Sequence, residues 1–133
     1  TRAAAESGII PGGGTIFVRA LKALEKVKAK GDAAFGVKVV GGALGAPIRT
    51  IAANAGFDPG EVFIEVSELK GSKGFNAFTG EYSDLVKDGV IDPTDVVLTA
   101  LRNAVSIAGL NLTTDALITD VDDHDEPVVN AVV

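Results

Sequence analysis

A run of three glycines, Gly12–Gly14, leads directly into an amphipathic segment, and this junction constrains the fold more than any other feature of the sequence. The apolar side chains that follow the run recur at helical spacing; they are Phe17, Leu21, Leu24 and Val27. This spacing predicts a helix over residues 15–29 that ends at Gly31. A glycine loop at a helix N-terminus lets the backbone approach a ligand closely, and its free N–H groups suit an anion. The alternative is an ordinary flexible connection.

Further helices are predicted on both sides of this junction. The Ala-rich residues 1–7 are typical of the end of a helix, with Gly8 as its C-cap. Asp32 is a suitable N-cap for a helix over residues 33–54. Several helix-weakening residues lie inside that segment, namely Gly41, Gly42, Gly45 and Pro47. We therefore expect one bent helix there.

Two Asp-Pro dipeptides predict helix starts. Asp58-Pro59 is followed by Glu61, which places an acid at the third helical position, and a helix over 59–69 is expected. The alternation of apolar residues after Glu61 leaves a strand as the alternative. Asp92-Pro93 repeats the same cap chemistry and predicts a helix that runs to about residue 109.

A smaller β component is expected between and after these helices. The glycine-rich segment that contains Phe75, Phe78 and Tyr82 predicts a short hairpin, followed by a brief helix over 82–88. Residues 116–121 are typical of a strand that has no long partner strand in the chain. The unpaired edge of such a strand usually pairs with another polypeptide segment. Residues 122–133 are acidic and predict a mobile tail. The predicted fold class is therefore mainly α.

Composition excludes several classes of function. The net charge is −6, and an acidic surface argues against a nucleic-acid or anionic-membrane partner. No cysteine is present, which excludes disulfides and thiolate metal sites. No apolar run reaches the ~18 residues of a membrane span. His124 lies among acidic residues of the tail, where a solvated side chain is favoured over a metal site.

Three segments, taken together, resemble the group I chaperonins, the GroEL type. The first is 1–14, with its Pro-Gly-Gly-Gly run; the second is 74–94, which contains Gly74-Phe75-Asn76-Ala77 and Asp92-Pro93-Thr94; the third is 100–114. The intervening segment 46–56 also resembles the family. Order and spacing are similar over about residues 1–121.

This resemblance implies a fold, a function and partners. Chaperonins of this group are double-ring ATPases that enclose unfolded proteins, and their helical equatorial domain binds ATP. The chain looks like the C-terminal half of that domain: residues 1–7 would end an intermediate-domain helix, 8–121 would form the equatorial part, and 122–133 the tail. The resemblance implies a helical bundle with a short β-hairpin and a C-terminal strand. It also implies a cytoplasmic location.

The resemblance also implies nucleotide contacts, at Gly13, Asn76, Ala77, Phe78 and Asp92. Asn76 carries the donors and acceptor that suit an adenine edge, although a turn-forming Asn is the local alternative. Phe78 replaces a small residue of the family, so its ring would either stack on adenine or block the pocket. Asp92 would accept hydrogen bonds from ribose hydroxyls; the local alternative is a helix N-cap.

The remaining parts of an ATPase are expected elsewhere in the subunit. In the family, the phosphate loop and the carboxylate that activates water precede the segment similar to this chain, so we expect no catalytic residue here and no hydrolysis of ATP·Mg²⁺ by the isolated chain.

Ring subunits are expected as partners, with unfolded substrates and a co-chaperonin bound through other domains. A half-domain exposes apolar faces, which predicts a dimer or larger assembly. There are two competing hypotheses. One is a stand-alone helical interaction module; the other is an unrelated small-molecule enzyme, which no constellation of residues in the sequence supports.

Overall fold

A computed structural model of the chain describes residues 2–116. Its elements, in chain order, are α1 (Arg2–Ser7), β1 (Ile9–Pro11), α2 (Thr15–Leu24), α3 (Asp32–Leu44), α4 (Ala46–Asn54), α5 (Pro59–Glu68), β2 (Lys73–Asn76), β3 (Glu81–Asp84), β4 (Ile91–Pro93) and α6 (Thr94–Leu112). The mainly helical fold class is confirmed. The chain divides into two units, Thr1–Ala100 and Leu101–Val133, and α6 crosses the division. The predicted tail, and the predicted strand except for Ala116, lie outside the described residues.

The first two helices flank the glycine run, and α2 is shorter than predicted. Gly8 ends α1 in the left-handed conformation, with φ 79°, and its N–H donates to the carbonyl of Ala4 over 3.1 Å. Helix α2 ends at Leu24 rather than at residue 29. The predicted last apolar position, Val27, is 51% exposed. The extra turn would have buried little apolar surface, so nothing offsets the conformational entropy of ordering it.

The single bent helix predicted over 33–54 is wrong, because the segment forms two helices that separate at Gly45. Pro47 lies in the first turn of α4, where its missing N–H costs nothing. In a continuous helix the Pro47 ring would clash with the carbonyl four residues earlier. Asp32 is also not the cap of α3: Gly31 precedes the helix, and Asp32 is its first residue.

Helix α5 begins as the first Asp-Pro dipeptide predicts. The Asp58 carboxylate accepts a hydrogen bond of 2.7 Å from the main-chain N–H of Glu61. Val62 and Val66, four residues apart, are buried, whereas Ile64 between them is 59% exposed. A strand would have placed all three on one face, so the strand alternative is excluded.

The predicted hairpin is confirmed, but the brief helix over 82–88 is wrong. Strands β2 and β3 pair antiparallel, with Phe75 opposite Tyr82 and Asn76 opposite Glu81. The Tyr82 ring packs on that of Phe75 with centroids 5.5 Å apart. This cross-strand contact holds 81–84 extended, and a turn over 85–89 follows.

A second two-stranded sheet, β1 with β4, joins segments far apart in the sequence. Ile10 lies opposite Asp92 and Ile9 opposite Pro93. Pro93 is therefore the end of a strand, and α6 begins at Thr94, so the predicted capping role of Asp92 is wrong. The main-chain N–H of Asp95 instead donates to Ser7 Oγ over 3.2 Å. Helix α1 thus supplies the cap of α6.

The core lies where α2, α4, α5 and β2 meet. Its buried members are Val18, Ile48, Ala52, Val62, Val66 and Phe75. The Phe57 ring packs edge-on against Phe75, with centroids 5.1 Å apart. This core holds β2, and with it Asn76, in a fixed place. None of the helices within residues 2–116 is long and apolar enough to cross a membrane.

Candidate functional site

The glycine run lies between two strands that carry predicted site residues. The Gly12 N–H donates to the carbonyl of Val90 over 3.0 Å. A Cβ on Gly12 would lie 3.4 Å from Asp92 Oδ2, and one on Gly13 would lie 3.3 Å from the carbonyl oxygen of Phe75, the residue before Asn76. Three distant parts of the sequence therefore converge at this loop, and with them Gly13, Asn76 and Asp92.

The loop needs glycine for backbone reasons as well. Gly13 and Gly14 both adopt left-handed conformations, with φ of 63° and 74°. A Cβ on Gly14 would come within 2.8 Å of the Ile48 nitrogen, so this glycine allows α2 to approach α4. The N–H of Thr15 closes the turn by donating to the Gly12 carbonyl over 3.2 Å. The loop is thus tied into the fold on several sides, which disfavours the alternative of a flexible connection.

Asn76 is buried at the end of β2, with 7% of its surface exposed. Its Oδ1 accepts a hydrogen bond of 3.1 Å from the N–H of Phe78, and its Nδ2 donates to Asp88 Oδ2 over 3.5 Å. The side chain therefore forms the turn that was the local alternative for this residue. An amide has two N–H groups and two acceptor lone pairs, so one of each remains for a ligand.

Ala77 and Phe78 follow Asn76 in the hairpin turn and differ sharply in exposure. Ala77 is half-buried and packs against the core. The Phe78 side chain is 97% exposed, while its backbone is held by the hydrogen bond to Asn76. A fixed backbone with a freely presented ring makes Phe78 suitable for stacking on a planar ligand.

Asp92 lies in the middle of β4, half-buried and opposite Ile10. Because the cap of α6 comes from Ser7, the Asp92 carboxylate is not used at the helix start. Its Oδ2 points toward Gly12, as the distance to a Cβ there indicates. The carboxylate thus borders the glycine loop, where it can accept hydrogen bonds from hydroxyl groups.

Sequence reasoning missed two residues of this region, Ser83 and Asp88. The Asp88 Oδ2 accepts hydrogen bonds from both Ser83 Oγ and Asn76 Nδ2. Asp88 lies in the turn after β3, which Gly89 completes with φ 76°. The Asp88-Gly89 dipeptide is a recognisable turn signal, but nothing in the sequence relates it to Asn76.

Two further groups on β3 have shifted pKa values. Burial raises the pKa of Tyr82, and the nearby charges of Glu65 and Glu61 raise it further. A hydrogen bond from the Ser72 side chain lowers the pKa of Asp84, with smaller contributions from Lys87 and Val86. Within the described part of the chain, no group of three or more His, Cys, Asp or Glu side chains is arranged to hold a metal ion.

Comparison with known proteins shows which family and which solved structures this chain is similar to. The TCP-1/cpn60 chaperonin family matches residues 1–122. The crystal structure of a group III chaperonin in the open state superposes with a TM-score of 0.80 at 34% identity, covering 87% of this chain and 25% of that one. An open-state monomer of a group II chaperonin from Methanococcoides burtonii gives a TM-score of 0.71 at 25% identity, covering 80% of this chain and 28% of that one. The chain therefore spans roughly a quarter of the length of these solved chaperonins.

Proposed function

The chain belongs to the TCP-1/cpn60 chaperonin family, and we propose that it supplies the nucleoside side of the ATP site in a cytoplasmic, ATP-dependent chaperonin that assists protein folding. The observation that carries this proposal is the convergence of Gly13, Asn76 and Asp92 at one glycine loop. In this proposal residues 8–121 form the C-terminal half of an equatorial domain. Assignment to group I stays a prediction, since the solved structures above are a group III and a group II chaperonin.

The chemistry of the three positions fits a nucleoside. Asn76 retains one N–H and one lone pair, the complement of an adenine edge. The Asp92 carboxylate suits the two ribose hydroxyls. Gly13 and Ala77 leave room for a planar base to approach the backbone, because neither has a side chain beyond Cβ.

Phe78 adds a stacking surface to this proposal. Its ring is 97% exposed and follows directly after the residues proposed to bind the base. Stacking of a base on an aromatic side chain contributes about 1–3 kcal/mol. We therefore favour the stacking role of Phe78 over the blocking role.

The phosphates and Mg²⁺ of bound ATP are assigned to residues elsewhere in the subunit. ATP with Mg²⁺ would supply the phosphoryl group whose transfer drives the chaperonin cycle. The residues of this chain would hold the base and ribose and so orient the nucleotide. The isolated chain is accordingly proposed to be inactive as an ATPase.

Exposed apolar residues support the proposal of contacts to the rest of a ring. Helix α3 presents Phe35, Val39 and Val40, which are 71%, 57% and 42% exposed. Such a surface is typical of a face that another polypeptide covers. We propose that the remaining parts of the subunit and its ring neighbours cover faces of this kind, while unfolded substrates and a co-chaperonin bind other domains.

Light scattering on the isolated chain should then show a dimer or larger assembly; a stable monomer would contradict this part of the proposal.

Nucleotide binding is tested by calorimetry on the complete subunit with ATP and Mg²⁺. Asp92→Asn keeps the shape of the side chain and removes its charge, so it should weaken ATP binding about tenfold. Phe78→Ala removes an exposed ring at little cost to folding, and should weaken binding about tenfold as well.

The matched control is Ile64→Ala, which removes another exposed apolar side chain from the outer face of α5. This variant should bind ATP like the parent subunit. If Asp92→Asn and Phe78→Ala also bind ATP with unchanged affinity, the proposed nucleoside site is wrong.

A further inference from the structure

Asn76, Asp88 and Ser83 form a hydrogen-bonded chain beside the proposed nucleoside site. We infer that Asp88 is a positioning residue, which fixes the orientation of the Asn76 amide and thereby makes the site prefer adenine to guanine. This inference rests on the proposed function, because it concerns how Asn76 would read the base.

The two neighbours of the Asn76 side chain enforce the same orientation. The main-chain N–H of Phe78 can only donate, so it must face Oδ1, at 3.1 Å. An ionised Asp88 carboxylate can only accept, so it must face Nδ2, at 3.5 Å. A rotated amide would place an oxygen against the carboxylate and an NH₂ group against the Phe78 N–H. Both contacts would then be repulsive.

Asp88 is itself held in place from two directions. The Ser83 hydroxyl donates to the same Oδ2 that accepts from Asn76. The Asp88 main-chain N–H donates to the carbonyl of Asp84 over 3.0 Å, which forms the turn after β3. That turn also joins the glycine loop, because the Val90 carbonyl at its end accepts the Gly12 N–H. The carboxylate is thus a fixed part of the site although the residue is exposed.

A fixed amide distinguishes the two purines by the order of its donor and acceptor. On its Watson–Crick edge, adenine presents an N6 amino donor beside the N1 acceptor, which matches the remaining Oδ1 lone pair and Nδ2 N–H of Asn76. Guanine presents the O6 acceptor and the N1–H donor on the same edge, so O6 would face Oδ1 without a proton between them and the N1–H would face the Nδ2 N–H. A freely rotating amide would adapt to guanine by exchanging its ends. Asp88 opposes that exchange.

The test is the ratio of the dissociation constants for GTP and ATP, measured by calorimetry on the complete subunit. Asp88→Asn preserves the shape of the side chain but can present either an N–H or an oxygen to Asn76. The orientation is then enforced by the Phe78 N–H alone, so the ratio should fall about fivefold. Ser83→Ala, which removes the support of Asp88, should lower the ratio about twofold.

The control is Asp84→Asn, a carboxylate on the same hairpin whose partners are Ser72 and Lys87. It should leave the ratio of the GTP and ATP dissociation constants unchanged, because the side-chain hydrogen bonds of Asn76 go to Asp88 and Phe78.

An unchanged ratio in Asp88→Asn would overturn the inference alone; if the affinity for both nucleotides also falls equally, the role of Asp88 is merely structural. The proposed function fails differently, since ATP binding would then be insensitive to Asp92→Asn and Phe78→Ala in the first place.

Discussion

Arg19 of α2 donates a hydrogen bond of 2.7 Å from Nη1 to the main-chain carbonyl of Val66, across the core from its own helix. Its Nη2 donates to the carbonyl of Lys73 over another 2.7 Å. The Val66 carbonyl lies in the last turn of α5, where no intrahelical N–H is available to it. One side chain thus caps α5 and joins it to α2 and β2, the strand that carries Asn76.

Replacement of Arg19 by Met should therefore destabilise the fold. Met keeps the apolar stem but loses both charged donors, and it leaves two carbonyls without these partners. A loss of roughly 2 kcal/mol in the free energy of unfolding is expected, since Arg19 is only partly buried. Urea denaturation followed by circular dichroism measures it.

Arg2→Met is the matched control for this prediction. Arg2 pairs with Glu6 over 2.8 Å, but its side chain is 91% exposed. Such a surface pair contributes at most about 0.5 kcal/mol. Equal effects of the two substitutions would contradict the role assigned to Arg19.

The two Asp-Pro dipeptides should respond differently to the same substitution. Asp58→Ala removes the acceptor of the Glu61 N–H and should cost about 1 kcal/mol of stability. Asp92→Ala should cost less, because the cap of α6 comes from Ser7. Thermal unfolding of the two variants compares them directly, and a larger loss in Asp92→Ala would contradict the strand assignment of Asp92.

Gly74 and Gly36 form a second contrasting pair. A Cβ on Gly74 would fall on Thr15 Oγ1 and within 2.7 Å of Leu85 Cδ1, both in the buried interior. Gly74→Ala should therefore destabilise the chain by about 1–3 kcal/mol. Gly36 lies on an exposed part of α3, where a Cβ would meet nothing within 4 Å apart from its chain neighbours and the backbone of its own helix, so Gly36→Ala should stabilise the chain by about 0.5–1 kcal/mol. Denaturant midpoints of both variants test the contrast, and a shift in the same direction would refute it.

Tyr82 should titrate above its ordinary pKa of 10.0, because burial and the charges of Glu65 and Glu61 disfavour the phenolate. The neutral phenol therefore stabilises the fold at any pH below about 10, the pKa of Tyr82 in the unfolded chain. This stabilisation is lost as the pH rises from there through the higher pKa that Tyr82 has in the folded chain. Tyr82 is the only tyrosine and no tryptophan is present, so ultraviolet absorbance follows this group alone.

Glu65→Gln should lower the pKa of Tyr82 toward 10.0, since it removes the charge that contributes the larger of the two electrostatic effects. Glu68→Gln on the same helix is the control and should leave the Tyr82 titration unchanged. A titration that is identical in the parent and in Glu65→Gln would show that the Glu65 charge does not act on Tyr82.

Local sequence signals predicted the elements whose stabilising contacts are themselves local. Asp58 caps α5 through a residue three positions away, and Gly8 ends α1 through a bond to Ala4. The hairpin of β2 and β3 is likewise a pairing of neighbours. The same reasoning extended α2 to residue 29, because spacing alone does not reveal that Val27 meets no partner.

The sequence by itself determined a mainly helical chain, its chaperonin resemblance and the segments from which a nucleoside site would be built. Only the tertiary structure decided that Asp92 is a strand residue and that Ser7 caps α6, because the pairing of β1 with β4 joins positions eighty or more residues apart. It also decided that Gly12–Gly14 lies between Phe75 and Val90, and that Asp88 reaches Asn76. These contacts depend on packing across the core, for which neither residue type nor periodicity carries a local signal.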